Sequence, residues 1–117
     1  MEELTTIDTI IEDLKDKTEQ NIPISPVIWL NAAQKLNVLL GNENDRLAEL
    51  FQATRKIMIA NIEEGKSVSE AKARMEVGDF YKEYNKQKAK IEQVQEFIRL
   101  AKAQSRIRNE EYLGGSL

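Results

Sequence analysis

Ala73, Val77, Phe80, Tyr84, Gln87, Ile91, Val94, Ile98, Ala101 and Ser105 follow one another in alternating steps of four and three. That spacing is the seam of a coiled-coil helix, because a repeat of 3.5 residues keeps one apolar stripe turned toward a partner. No proline interrupts the stretch, and Gly78 is its only glycine before Gly114. The phase is the same on both sides of Gly78, which therefore reads as a weak point and not a break. Upstream, Ser67-Val68-Ser69-Glu70 has the form of a capping box: a hydroxyl to accept from the first turn and a Glu to reach back. These signals predict one helix over 68–111, roughly 60 Å long. Something equally long must cover its seam.

The first half of the chain supplies that cover. Ser25-Pro26 opens a helix, with Ser as the cap and Pro at the first helical position. Ile24 before the cap and Trp29 inside it are placed to form a hydrophobic staple. The seam then runs Trp29, Ala33, Leu36, Leu40, Glu43, Leu47, Leu50, Thr54 and Ile57, with the next step falling on Asn61. Gly41-Asn42 is the composition of a helix end. The unchanged heptad phase across it nevertheless predicts one continuous helix over 26–64. Glu64-Gly65-Lys66 is the turn, short enough to force the two long helices antiparallel.

Ahead of the hairpin, Ile7, Ile10, Ile11 and Leu14 fall on one face of a short helix over 5–17, with Thr5 as the expected cap. A helix of this length is marginal alone and has to dock. The expected fold is all-α and a single domain over 1–117: a long antiparallel, coiled-coil-like helical hairpin with a short N-terminal helix and a tail over 113–117. The seam faces are wider than a two-stranded coiled coil needs. Phe51, Met58, Phe97 and Leu100 are the excess, to be covered by the N-terminal helix, by a second subunit or by both, so a homo-oligomer is expected.

The composition narrows the chemistry. The chain has no cysteine and no histidine, which removes thiolate sites and the commonest general base and metal ligand. Glu2-Glu3, Glu63-Glu64 and Glu110-Glu111 lack the third acid of a magnesium-binding cluster, and no Gly-rich phosphate loop is present. The expectation is a non-enzyme with no metal and no cofactor. Glu43 and Asn61, polar on an apolar seam, read as positions that set register. No apolar run approaches the roughly 20 residues of a membrane span, so no membrane partner is expected. The expected location is the cytoplasm, that of the host if a phage encodes the chain.

Net charge is −3, but it is unevenly placed. Residues 1–20 hold seven acids and two lysines, whereas residues 68–117 hold eight acids and ten bases. Lys82, Lys86, Lys88 and Lys90 form one basic group. Arg99, Lys102, Arg106 and Arg108 form another, with no acid between Glu96 and Glu110. Arg99, Lys102 and Arg106 share a helix face. Bases near a helix C-terminus also suit the helix dipole, so two readings stand side by side: capping and solubility, or an anion and nucleic-acid surface. Tyr81, Tyr84 and Phe97 lie near these bases and could stack on the bases of a single strand, although Tyr84 and Phe97 also suit the core.

The layout resembles small helical proteins of tailed phages, in particular the UvsY-like recombination mediators. The features that carry the likeness are Tyr84, Glu96-Phe97 and the stretch Arg99-Leu100-Ala101-Lys102-Ala103-Gln104-Ser105-Arg106-Ile107. The Lys-Ser-Arg triplet of that family is not contiguous here. The resemblance implies an oligomeric, non-enzymatic protein that binds single-stranded DNA and helps load a recombinase. The alternative is a protein-interaction module without DNA binding: a phage inhibitor of a host defence protein, or a virion or scaffold component.

Overall fold

Proline at the start and glycine just past the end mark the longest element, α2 (Pro26–Glu63). A computed structural model describes the backbone of residues 6–115 and the side chains of residues 6–107. Among these, the chain is all-helical, in the order α1 (Ile7–Glu19), α2, α3 (Val68–Glu76) and α4 (Asp79–Gly115). The expected all-α hairpin is the observed architecture, with α2 and α4 as its long arms. Residues 113–115 of the expected tail continue α4 past its expected end at 111, and residues 116–117 lie outside the described residues.

Local chemistry explains the helix ends. Ser25 Oγ accepts from the amide of Ile28 at 3.3 Å and caps α2. Ile24 and Trp29 are both buried, as a staple requires. At the far end Gly65 adopts φ 94°. The amide of Lys66 donates to Asn61 O at 3.2 Å and that of Gly65 to Ile62 O at 2.9 Å, which is a Schellman turn. Helix α1 ends the same way with Asn21 at φ 57°, its neighbour Ile22 donating to Lys17 O at 2.8 Å. This carries α1 two residues past the expected end at 17. Its cap is Thr6, which exchanges hydrogen bonds with Thr9 in a complete capping box. Thr5, the expected cap, lies outside the described residues.

The helix expected over 68–111 is interrupted. α3 stops at Glu76 and α4 begins at Asp79, with Val77 and Gly78 between them. The amide of Gly78 turns back to Met75 O at 3.1 Å, and Gly78 O then accepts from Lys82, so the glycine ends one helix and caps the next. The seam phase changes there too. Ala71 is fully buried and Met75 half-buried, whereas Val77 is 76% and Phe80 50% exposed. At Ser67 the hydroxyl accepts from the amide of Glu70, but the Glu70 carboxylate pairs with Arg74 one turn on instead of reaching back.

The chain forms two compact units, one comprising the residues up to Leu40 and from Gln93 on, the other Gly41–Glu92. In the first, Ile7 and Leu14 of α1 are buried together with Trp29, Ala33, Leu36 and Leu40 of α2 and Val94, Ile98 and Ala101 of α4. Ser105 Oγ donates to Pro26 O at 2.9 Å, joining the start of α2 to the late part of α4. In the second, α2 and α4 run antiparallel: Glu43 meets Gln87, while Phe51, two turns on, meets Tyr84, which lies before Gln87. Ile91 and Ala71 are its buried apolar side chains among the described residues. Leu47, Leu50 and Ile57 are half-buried, as a pair of helices without a third layer leaves them.

Candidate nucleic-acid interface

A cation can hold a phosphate only if a carboxylate of its own protein does not already hold it. By that criterion α4 sorts its bases. Arg99 is engaged by Glu96 one turn before it, through Nε at 3.1 Å and through a second guanidinium nitrogen. These hydrogen bonds hold the Glu96 carboxyl below the ordinary carboxylate range and raise Arg99. Both side chains are solvent-exposed, so the pair contributes little to stability but partly neutralises Arg99. Lys102 and Arg106 are exposed and make no ion pair with the described residues. With Pro26, Val27 and Leu30 they line a shallow groove of 450 Å³. Arg108 has its side chain outside the described residues.

Lys82, Lys86 and Lys90 recur at steps of four on one face, and Lys88 falls on another. Lys86 lies 3.9 Å from Glu83, and Lys90 is 3.4 Å from Glu43. Lys82 and Lys88 are exposed and without such a partner among the described residues.

Glu43 is the centre of a polar clasp. Gln87, 7% exposed, donates through Nε2 to Glu43 Oε2 at 2.6 Å and to the Glu43 carbonyl at 2.9 Å. The hydrogen bond from Gln87 lowers the Glu43 carboxyl below its usual value, partial burial opposes this, and Lys90 assists. A charge tied this way to one position of the opposite helix favours one register of α2 against α4 within this unit. Asn61 differs: its Nδ2 donates to Ile57 O at 2.8 Å within its own helix, so it reaches no other.

The apolar excess is distributed over both units. Phe97 and Leu100 line a cleft of 570 Å³ with Leu14, Thr18 and Trp29, on the side where α1 docks. Trp29 Nε1 is buried there with no acceptor among the described residues. In the other unit Phe51 is 45% exposed and Met58 half-buried. Phe51 lies against Tyr84 with ring centroids 6.1 Å apart, and Tyr84 in turn faces Tyr81 at 6.4 Å and 21°. This aromatic cluster joins residues more than 30 positions apart, so helical periodicity alone could not show it.

No group of acids able to hold a metal occurs among the described residues. None of their helices is long and apolar enough to cross a membrane. Fold and surfaces together define an all-helical hairpin protein with its distinctive chemistry on helix faces. No protein-family model matches the chain, and neither a curated protein nor a solved structure shows significant similarity to it.

Proposed function

We propose that this protein is a non-enzymatic, self-associating helical protein that contacts single-stranded DNA and helps load recombination or replication proteins, the role implied by its resemblance to UvsY-like mediators. The observation that supports DNA contact is the pair Lys102 and Arg106. They are exposed, share a helix face with Arg99, and have no carboxylate partner among the described residues. Two cations per chain give weak binding, and several copies on one strand multiply it. Self-association is supported by exposed apolar side chains in the same unit, Val27 at 65% and Val38 at 77%.

A labelled oligothymidylate of about 20 nucleotides, titrated at about 50 mM and 200 mM salt, tests the DNA contact. Binding that weakens steeply with salt is expected. The double change Lys102→Glu with Arg106→Glu should reduce the log–log salt slope by about 1.4 or more, roughly 0.7 for each lost phosphate contact. No binding by the wild type at low salt ends the DNA reading.

A protein-interaction module is the second reading, favoured by the same exposed apolar residues. Light scattering separates self-association from capture of a different protein. A dimer or larger assembly is expected at about 100 µM chain, and a monomer mass there removes the self-association.

A further inference from the structure

The flank of the Gly41–Glu92 unit that carries Phe51 combines partly exposed aromatic rings with basic side chains. Phe51, Tyr84 and Tyr81 form a run of rings, half-buried or exposed, with centroid separations of 6.1 and 6.4 Å. The two tyrosine planes are within 21° of parallel, yet their separation leaves neither face closely covered by the other. Arg55 lies one turn beyond Phe51 on α2, and Lys88 one turn beyond Tyr84 on α4, so both cations border the rings. Neither makes an ion pair with the described residues.

We infer that this flank is a nucleobase-stacking site for a single strand, with Tyr81 and Tyr84 as the platform and Arg55 and Lys88 as the phosphate contacts beside it. The inference rests on the single-strand reading above and deepens it by naming a place where bases are held. The chemical argument is complementarity. A single strand offers flat apolar faces at short intervals along a polyanion, and the flank offers flat rings bordered by cations. An apolar protein helix would gain from the rings but would leave Arg55 and Lys88 without counter-charge. A duplex keeps its base faces stacked inside and could use only the cations. Phe51 flanks Tyr84, its ring tilted 46° to that of the tyrosine.

The test compares two strands of equal length and charge, an oligothymidylate and a sugar-phosphate strand without bases, by fluorescence anisotropy on the full chain at low salt. The wild type should bind the thymidylate about tenfold more tightly than the abasic strand, within the range usual for base stacking on aromatic side chains. Tyr81→Leu should remove most of that preference, and Tyr81→Phe should keep it. Both should leave the salt slope unchanged, because the cations remain. Equal binding of the two strands by the wild type overturns the stacking site while the single-strand reading stands. A preference that survives Tyr81→Leu also overturns it, since the bases are then read elsewhere. A wild type that binds neither strand removes both proposals. If Tyr81→Leu instead changes the particle mass in light scattering, the flank belongs to a second copy of the chain and the stacking site falls.

Discussion

Leu36→Asn is expected to destabilise the protein by about 4 kcal/mol or more. Leu36 is 0% exposed, and it is the largest side chain that is fully buried among the described residues. It sits on α2 in the unit where α1, α2 and α4 all contribute to the core. Truncating a buried leucine costs roughly 3–5 kcal/mol, because the cavity it leaves collapses only in part. The amide that replaces it adds roughly 1–3 kcal/mol for polar atoms without partners, while its volume offsets part of the cavity. Against a total stability of about 5–15 kcal/mol, such a loss brings this unit near unfolding. Trp29 is the only tryptophan, buried in the same unit, and its emission reports the transition directly. Gln34→Asn, two residues earlier on the same helix and exposed, serves as the control and should change stability by less than about 0.5 kcal/mol. Urea unfolding followed by Trp29 fluorescence measures both. A Leu36→Asn loss below about 1.5 kcal/mol means that Leu36 is not the core residue described here. A comparable loss for Gln34→Asn means that the effect of Leu36→Asn is not one of burial.

The seam of α2 was legible in the sequence because every position from Trp29 to Ile57 obeys one period, and each is buried or half-buried. On α4 the same holds from Tyr84 to Ser105. The reading fails from Ala73 to Phe80 for a physical reason. A heptad phase shows which residues could share a face, and it does not show that the chain turns at Gly78, where a side chain would press on Met75 O at 3.3 Å. The packed positions of α3 are Ala71 and Met75, two residues out of step with the expected Ala73 and Val77. The end of α1 was also available, since Asn21 tolerates the left-handed conformation of a C-cap. Among the site residues, the Glu96–Arg99 pair is a local i,i+3 spacing that sequence could have supplied. The Phe51–Tyr84 and Lys90–Glu43 contacts depend on how α2 and α4 align, which Gly65 and the turn set at a distance.

Removing the donor of the polar clasp should give the second large effect. Gln87→Leu keeps the volume of the side chain but leaves the Glu43 carboxylate, 22% exposed, without its short hydrogen bond. A loss of about 1–3 kcal/mol at neutral pH is expected, the usual result of stranding a partly buried polar group. Replacing both residues together, Glu43→Leu with Gln87→Leu, should recover much of it, because no carboxylate is then left on the seam and Lys90, 43% exposed, stays hydrated. The pH dependence follows from the direction of the Glu43 shift. Its carboxyl titrates below the ordinary value in the folded chain, with the Gln87 hydrogen bond as the largest cause. The folded state therefore binds fewer protons than the unfolded state as the solution is acidified. The stability that Glu43 contributes is complete above the unfolded carboxylate pKa and is lost as pH falls through the lowered folded value. Glu43→Gln cannot ionise, so the difference in unfolding free energy between wild type and Glu43→Gln should shrink as pH falls from about 7 to about 3.5. Urea unfolding of the two proteins at those pH values, followed by circular dichroism, measures that difference. If it stays constant, the Glu43 charge makes no contribution to the clasp, and the register of α2 against α4 within this unit rests on the Gln87 bond to the Glu43 carbonyl and on apolar contacts.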